Sequence, residues 1–282
     1  MDKPVGPTSH DVVHRVRRAL KTRAAGHTGT LDPFASGLLV VLVGGATRLA
    51  RFVEGQPKRY LATARLGIQT ATDDLTGEVV ARFPNSESVP EVRVREELAT
   101  FLGQHPQRPP AFSAKRVAGE RSYQKARRGE PVELAEVPVM VHDIELVDYS
   151  PPELRFRAVV GPGTYIRALA RDLGHQLGVG AHLTALRREA IGSLVVEDAV
   201  PLEQLGPAAL LSPQSVLRDL PSVDLDETAR NAVVHGRAVR DSEAAGQRGS
   251  GAVVALLGHG ELIAVAQADD GWLRPTVVLN PA

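Results

Sequence analysis

The sequence predicts an α/β protein with two domains, in which a larger domain of strands and helices precedes a small β-rich module. Three observations support this prediction. The chain has 282 residues, which exceeds the usual size of one domain. Helical and strand periodicities are interleaved over roughly the first 200 residues, whereas strand signals dominate beyond residue 220. We therefore place the larger domain at residues 1–210 and the small module at residues 220–282.

The composition excludes several classes of protein. With 43% hydrophobic and 23% charged residues, the chain has the make-up of a soluble globular protein, and no apolar run is long enough to span a bilayer. The first residues lack the apolar core of a secretory signal, and the sequence has no cysteine for disulfides, thiolate nucleophiles or cysteine-ligated zinc. We therefore expect a cytoplasmic protein.

The formal net charge is zero, but the charges are unevenly distributed. Residues 15–23 carry five basic side chains and no acid, and residues 108–128 carry seven basic side chains against Glu120 alone. From Pro221 onward, acids outnumber bases by eight to five. The two basic segments are either solvated faces or a localised footprint for a polyanion.

Three elements are predicted in the first third of the chain. Thr8 and Ser9 are good N-caps, and the apolar spacing over residues 12–20 indicates a helix that leaves the first basic segment outside. Residues 38–43 form a continuous apolar run that favours a central strand buried on both faces. Residues 60–66 alternate between apolar and mixed positions, as in a strand with one buried face.

The middle of the chain continues this alternation of elements. Residues 91–102 have the pattern of an amphipathic helix, and the Pro-rich stretch that follows is expected to break regular structure. Residues 137–147 and 154–160 are predicted strands. Thr164 is a candidate cap for a further helix, in which Arg167 would lie in the first turn.

The end of the chain has the pattern of a small β module. Residues 201–221 contain four prolines and no strand pattern, as in a linker. Residues 252–257 and 262–266 are separated by a Gly-rich turn and predict a hairpin, and residues 277–279 predict one more strand.

The most informative segment is His27-Thr28-Gly29-Thr30-Leu31-Asp32-Pro33, here called the Asp32 turn. Gly29 can take backbone conformations closed to other residues, and Pro33 biases Asp32 away from helix, so the backbone aims the Asp32 side chain. Such aiming suits a nucleophile or a general base. The alternative is an Asx-turn, in which Asp32 accepts hydrogen bonds from local backbone only.

Two histidines suggest a metal site. His10 and His14 lie one helical turn apart, and Asp11 could stand in for the glutamate of the H-E-x-x-H zinc motif. Aspartate is shorter than glutamate, the sequence indicates no third ligand, and the same face carries basic residues that would repel a cation. A solvated or phosphate-facing surface is the alternative.

Other polar residues have ordinary structural explanations. Asp73 and Asp74 precede a Gly turn and either bind a hard cation or form the turn. Tyr60 is by default a core aromatic, and Arg167 a helix-surface arginine, although an arginine beside an aimed carboxylate could hold it ionised. The sequence has neither a P-loop nor a G-x-G-x-x-G motif after a strand, which argues against nucleotide-driven chemistry.

Taken together and in order, these motifs closely resemble those of TruB-type tRNA pseudouridine synthases, over roughly residues 2–200. The matching residues are Asp2-Lys3-Pro4, Gly6, Thr8-Ser9-His10-Asp11, Gly26-His27, Gly29 to Pro33, Ala35, Gly37, Gly45 to Arg48, Lys58-Arg59-Tyr60, Arg65-Leu66-Gly67, Ser113-Ala114-Lys115, Gly163 to Arg167, Gly180-Ala181-His182 and Leu186-Arg187-Arg188. The family usually has an apolar strand ahead of Asp2, whereas this sequence starts at Met1.

The resemblance implies a fold and an activity. The fold would be a mixed, largely antiparallel sheet flanked by helices, followed by a small PUA-like β domain. The activity would be isomerisation of uridine to pseudouridine at position 55 in the T-loop of tRNA, without cofactor or metal. The partner would be the T-arm stem-loop, bound by a monomeric enzyme, although the acidity after Pro221 argues against a typical RNA grip by the C-terminal module.

The resemblance also implies roles for single residues. Asp32 would be the catalytic nucleophile, Tyr60 would stack on the target base and assist proton transfer, and Arg167 would pair with Asp32. The residues matched to substrate-binding positions are His27, Tyr60, Tyr165, Leu186, Asp74 and Lys3. Whether Asp32 attacks the sugar or the base is left open.

General chemistry agrees with these roles. A base in a stacked loop must be extruded into a pocket with an aromatic platform and apolar walls before its glycosidic bond can break. An ionised carboxylate can stabilise or trap the oxocarbenium character that develops at C1′.

Two rival functions are a non-catalytic RNA-binding protein or chaperone, which needs the basic segments only, and a metal hydrolase that uses His10 and His14.

Overall fold

The structure is a computed structural model that describes residues 1–113, 115–117, 120–122, 125, 128, 130, 134–241 and 249–279. The helices are α1 (Ser9–Ala19), α2 (Ala50–Glu54), α3 (Glu91–Ala99), α4 (Ile166–Gln176) and α5 (Glu227–Val234). The strands are β1 (Asp2–Lys3), β2 (Ala25–His27), β3 (Ser36–Leu38), β4 (Val41–Val43), β5 (Lys58–Leu66), β6 (Ile68–Thr70), β7 (Val79–Arg82), β8 (Gly103–Gln107), β9 (Arg116–Val117), β10 (Glu120–Arg121), β11 (Val137–Ser150), β12 (Glu153–Val160), β13 (Ala181–Ile191), β14 (Leu194–Val195), β15 (Ser222–Asp224), β16 (Val239–Arg240), β17 (Val253–Gly258), β18 (Glu261–Asp269) and β19 (Trp272–Val278).

An eight-stranded sheet carries the larger part of the chain, in the order β1-β3-β13-β5-β12-β11-β8, with β14 paired to β13. All of its pairings are antiparallel except β3 with β13. The predicted α/β class and the mixed, largely antiparallel sheet are therefore confirmed. The predicted strand over residues 60–66 is also confirmed as β5, whose buried side chains are Tyr60, Ala62, Ala64 and Leu66.

The three helices predicted from the sequence form as α1, α3 and α4, with one difference at a cap. At the start of α1, Thr8 and Asp11 form a reciprocal capping box. The N-cap of α4 is Tyr165 rather than Thr164. The Gln107 side chain fixes the N-cap residue itself, because its Oε1 accepts from Tyr165 N at 2.8 Å and its Nε2 donates to Tyr165 O at 3.2 Å.

The prediction of one central strand over residues 38–43 is wrong. β3 lies next to the edge strand β1 of the main sheet, whereas β4 pairs with β2 in a separate ribbon. The chain changes direction at Leu39, whose N donates to Met1 O at 2.8 Å. A continuous apolar run indicates that a segment is buried, but it does not show that the segment forms a single strand.

The prediction that the Pro-rich stretch breaks regular structure is wrong at Pro106, through which β8 runs, and is confirmed at Pro109 and Pro110, which lie in no helix or strand. β8 is an edge strand that pairs with β11, and proline is tolerated at an edge because its missing N–H would face away from the neighbour. The strand β13, which lies in the middle of the sheet, was not predicted at all. Its buried positions include Arg188, which hides the apolar alternation.

Beyond residue 220 the chain forms a second sheet in the order β15-β17-β18-β19-β16, covered in part by α5. This confirms the predicted β-rich C-terminal part and its β17–β18 hairpin, whereas α5 was not predicted. One hydrophobic cluster joins residues near the Asp32 turn to this sheet. Its members include Leu38, Val40, Leu49, Ile191, Leu257, Val265 and Leu279.

Candidate active site

The Asp32 turn links β2 to β3 and is held by hydrogen bonds to the start of α1 and to Val40. Gly29 has a φ of +100°, a region that favours glycine. Ser9, at the start of α1, fixes the turn at Leu31, whose N donates to Ser9 Oγ at 2.8 Å while Ser9 Oγ donates to Leu31 O at 3.0 Å. Thr28 N donates to Val40 O at 3.1 Å. The backbone that carries Asp32 is therefore held from two sides.

The Asp32 carboxylate forms an ion pair with Arg167. The Nε of Arg167 lies 3.0 Å from Asp32 Oδ2, and the Asp32 side chain keeps an exposed fraction of 36%. Among the described residues it forms no Asx-turn, so that alternative does not account for the segment. The carboxylate is therefore both oriented by an arginine and open to a ligand.

Arg167 is buried, with a side chain only 5% exposed, although a helix-surface position is the default for such a residue. Its Nη1 donates to Thr72 O at 2.7 Å and lies 3.5 Å from Asp74 Oδ2, while Nη2 donates to Phe112 O at 2.9 Å. The whole guanidinium is thus held in one orientation, and this rigidity is passed on to Asp32.

Asp74 lies behind Arg167 and is also buried. Its Oδ1 accepts from Thr72 Oγ1 at 2.7 Å, Thr76 Oγ1 at 2.6 Å and Thr76 N at 2.9 Å. These bonds are those of a turn former, and Oδ2 is directed to Arg167. Direct contact of Asp74 with a substrate does not fit this geometry; Asp74 instead supports the arginine that orients Asp32.

The pKa of Asp32 is raised, because burial disfavours its charged form. The positive charges of Arg167 and Lys3 oppose this effect, whereas the negative charge of Asp74 adds to it. Arg167 therefore does not decide the ionisation of Asp32 by itself. Arg167 limits a rise in pKa that desolvation causes.

Tyr60 faces the same turn from β5. Its side chain is buried, and its hydroxyl lies 3.5 Å from Nη1 of Arg188, which sits opposite it on β13. Leu186, two residues before Arg188 on the same strand, is also buried. Tyr60 and Leu186 thus lie on adjacent strands of the sheet, close to Arg188.

Arg188 is the main feature of the site that sequence reasoning missed. Its side chain is 1% exposed, and its Nε donates to Leu38 O at 2.7 Å. Nη2 lies 3.1 Å from Gly29 O, and Nη1 lies 3.5 Å from Thr30 O. Arg188 thus ties the Asp32 turn to β3 and β13. Two signals pointed to it: its place in the matching motif Leu186-Arg187-Arg188 and its alternation with Leu186 and Ala190 along a strand.

Tyr165 and His27 complete the rim of the site. Burial raises the pKa of the Tyr165 hydroxyl, and the nearby charge of Arg167 opposes that rise. His27 is half-buried, and its Nδ1 has no hydrogen-bond partner among the described residues. Burial and, second, the charge of Arg188 lower the pKa of His27. Both side chains are only partly buried.

Lys3 does not have the exposure predicted for a substrate contact. It is 0% exposed, and its Nζ donates to Pro4 O and Pro7 O, each at 2.9 Å. Burial lowers the pKa of Lys3 to about 8, and the negative charge of Asp32 opposes this change. Lys3 therefore acts on Asp32 through its charge, and direct contact with a substrate does not fit its position.

The first basic segment is only partly available to a ligand. Arg17 Nη2 donates to Ala25 O at 2.8 Å and so has a structural role, whereas Arg15, Arg18, Lys21 and Arg23 are exposed. In the second segment Arg128 pairs with Glu120 and Glu130, each at 2.6 Å, and Arg127 lies outside the described residues.

The candidate metal site has a different explanation. Asp11 accepts hydrogen bonds from Thr8 N and Thr8 Oγ1, so it caps α1 and does not mimic a catalytic glutamate. His10 Nε2 and His14 Nε2 lie 2.9 Å apart on the exposed face. In the described part of the chain no further potential ligand joins them.

None of the described helices has the length and apolar character needed to cross a membrane.

Comparison with known proteins gives a consistent result. The model of the TruB family pseudouridylate synthase N-terminal domain matches residues 17–166, and that of the tRNA pseudouridylate synthase B C-terminal domain matches residues 167–223. The chain is 42% identical to tRNA pseudouridine synthase B of Thermobifida fusca over 99% of this chain and 96% of that protein. It is 40% identical to the protein of the same name from Aquifex aeolicus, over 85% of each.

Solved structures agree with these relatives. A chain in the structure of an H/ACA RNP bound to a substrate RNA containing 2′-deoxyuridine aligns with a TM-score of 0.76 and 26% identity, over 99% of this chain and 84% of that chain. A chain in a Cbf5-Nop10-Gar1 complex aligns with a TM-score of 0.73 and 28% identity, over 99% and 84%.

Proposed function

This chain belongs to the TruB family of tRNA pseudouridine synthases, and from that premise we propose that it isomerises the uridine at position 55 in the T-loop of tRNA, with Asp32 as the nucleophile. In this reaction the bond between N1 and C1′ breaks, a bond between C5 and C1′ forms, N1 gains a proton and C5 loses one. The substrate would be the T-arm stem-loop. The monomeric state, the cytoplasmic location and the boundary between residues 210 and 220 stay predictions.

The observation that carries this proposal is the Asp32–Arg167 ion pair, in which a partly exposed carboxylate is oriented by a buried arginine. Charge develops at C1′ as the glycosidic bond breaks, and an ionised carboxylate at that point can stabilise or trap it. Arg167 keeps the carboxylate charged without offering an easily transferred proton, because its own guanidinium is effectively always protonated. The pair therefore has the chemistry that the reaction needs.

The surrounding side chains support base flipping. Extruding a uridine costs a few kcal/mol, which stacking and apolar contacts in a pocket must offset. Tyr60 supplies an aromatic face, Leu186 supplies an apolar wall, and Tyr165 lies at the N-terminus of α4. The proposed catalytic residues are thus Asp32, Tyr60 and Arg167, and the proposed contacts to the target nucleotide are His27, Tyr165 and Leu186.

The test is single-turnover conversion of an unmodified T-arm stem-loop, with the product mapped by chemical labelling of pseudouridine. Wild type should convert one uridine, at position 55, and Asp32→Asn should lose more than about 1,000-fold in rate, or about 4 kcal/mol of transition-state stabilisation. RNA affinity should change little, because the substitution is isosteric. Asp143→Asn, which alters an exposed carboxylate on β11, is the matched control.

Three results would contradict the proposal. Retained turnover in Asp32→Asn would remove Asp32 as the nucleophile, and conversion at another uridine would remove the assigned position. Binding without conversion by the wild-type protein would favour the RNA chaperone.

A further inference from the structure

Two cations beside the Asp32 turn lack a counter-ion. Within the described residues, neither Lys58 nor Arg188 has a carboxylate within 4.0 Å, and the polar contacts of Arg188 are three carbonyl oxygens and the Tyr60 hydroxyl. Lys58 Nζ donates to Glu54 O at 2.9 Å and to Gln56 O at 2.8 Å. An ammonium has three protons, so one donor position of Lys58 is left for another acceptor.

The two cations meet at Gly29. A Cβ atom built on Gly29 would lie 3.7 Å from Arg188 Nη1 and 3.7 Å from Lys58 Cε. Arg188 is buried behind the turn, whereas Lys58 is half-buried and reaches its surface. Both distances are those of ordinary van der Waals contact, so the two side chains pack against the turn at Gly29. His27, with its unpartnered Nδ1, is two residues away along the same turn.

The electrostatics of the cluster indicate an anion that the protein itself does not supply. Burial lowers the pKa of Lys58 to about 8, with the charge of Arg188 as a second cause, and Glu54 opposes the change. Arg188 also contributes to the lowered pKa values of His27 and Lys3. Buried charges are costly unless they are paired, and these positive groups repel one another. A bound anion would remove that cost.

We propose that Lys58, with the charge of Arg188 behind it, binds one phosphodiester of the RNA strand next to the target uridine. This inference rests on the proposed function. A phosphodiester carries a single negative charge and acceptor oxygens, which match the free proton of Lys58. The phosphate would lie beside Gly29, three residues from Asp32, and would hold the backbone in place while the base is extruded.

The test is a coupling measurement between one side chain and one phosphate. Stem-loops are made with a single neutral methylphosphonate at each phosphate flanking the target uridine, and binding is measured in an Asp32→Asn background to prevent turnover. At one of these positions, neutralisation should weaken binding about 10-fold when Lys58 is present and less than about 2-fold in Lys58→Met. Lys58→Arg should keep the coupling.

Lys21→Met, which removes an exposed lysine just beyond the end of α1, is the matched control and should leave the 10-fold effect intact. Equal losses at every phosphate, with Lys58 present or replaced, would overturn the inference. The salt dependence of binding gives a second readout. If Lys58 binds a phosphate, the plot of log affinity against log salt should be less steep by about 0.7 in Lys58→Met than in wild type. If no phosphate is bound there, the slope should not change.

Stability and turnover separate the remaining outcomes. Without RNA, Lys58→Met should melt at the same temperature as wild type or higher at pH 7, because it removes a charge that the fold disfavours; marked destabilisation would contradict the account. If wild type converts the stem-loop but no coupling is found, only the phosphate site is refuted. If wild type converts no uridine, the proposed function fails first.

Discussion

Two buried arginines flank the Asp32 turn and are satisfied in different ways. Arg167, 5% exposed, faces the carboxylates of Asp32 and Asp74. Arg188, 1% exposed, faces carbonyl oxygens and one hydroxyl. The first arrangement sets the charge and orientation of a reactive group. The second sets the shape of the backbone and leaves a positive potential for a ligand.

The position of each arginine explains its partners. Arg167 lies in the first turn of α4, where the helix dipole is positive and disfavours a cation, so two carboxylates are needed to compensate. Arg188 lies on a central strand, where the neighbouring backbone supplies oxygens but no net charge. Arg167 therefore affects the charge of the site, whereas Arg188 holds the backbone of the turn in place.

The largest effect is expected for Arg188→Met, which should lower the free energy of unfolding by about 3–5 kcal/mol. The substitution removes the donor to the buried carbonyl of Leu38, at about 1–3 kcal/mol, and the donors to the part-buried carbonyls of Gly29 and Thr30, at about 0.5–1.5 kcal/mol each. Urea unfolding measures the change. Arg187→Met is the matched control on the same strand; its partner Asp2 is partly exposed, so it should lose less than about 1 kcal/mol. Equal losses of unfolding free energy in Arg188→Met and Arg187→Met would show that the contacts of Arg188 are not special to its buried position.

Asp73→Asn tests whether an arginine partner is enough to keep a buried carboxylate ionised. Asp73 lies 3.2 Å from Arg171, yet burial raises the pKa of Asp73 from 3.8 to about 6. The unfolded chain therefore ionises first, and wild type should lose stability as pH rises from about 4 to 6, by on the order of 3 kcal/mol. The variant, which is neutral throughout, should lack this loss.

Urea unfolding of both proteins at several pH values between about 4 and 7 measures the difference. Asn suits the site, because residue 73 has a φ of +58° and asparagine tolerates the left-handed region. Parallel pH profiles for the two proteins would show that the Arg171 charge fully offsets burial.

Arg167→Lys keeps the positive charge beside Asp32 but removes the planar guanidinium, whose three nitrogens hold it in one orientation. The loss of fixed orientation should reduce the single-turnover rate by about 100-fold, or about 2.7 kcal/mol. Because Arg167 opposes the rise in the Asp32 pKa, a weaker pair should move the acidic limb of the rate profile to higher pH. If the variant is slower but the pH dependence of its rate is not shifted, Arg167 orients Asp32 without affecting its pKa.

The smallest effect is expected for Thr76→Val, which removes the 2.6 Å hydrogen bond from Thr76 Oγ1 to Asp74 Oδ1. Two other donors still hold Asp74, so stability should fall by only about 1 kcal/mol and the rate by a few-fold. Thermal unfolding and single-turnover rates measure both. A loss as large as that of Arg167→Lys would show that Asp74 contributes more than support.

Regular periodicity predicted the elements whose buried positions are apolar, such as β5 and α1. It failed where a buried position is charged, as for Arg188 on β13, because hydropathy cannot distinguish a buried cation from an exposed one. The pairing of Asp32 with Arg167 came from family resemblance, since two residues so far apart in the sequence leave no local pattern. The supporting roles of Asp74 and Lys3 depend on side-chain partners that only the fold reveals.

The hydrophobic cluster shared by the Asp32 region and the C-terminal sheet has a consequence for synthesis. Leu38, Leu49 and Ile191 are covered by residues of β17 to β19 and by Leu279. Arg48 Nη1 also donates to Val278 O at 2.6 Å. This surface is therefore buried only after residues up to about 279 have been synthesised, and a product that ends before β17 would expose an apolar patch to chaperones and proteases. The strands of the C-terminal sheet thereby make the protection of the Asp32 region depend on a segment far away in the sequence.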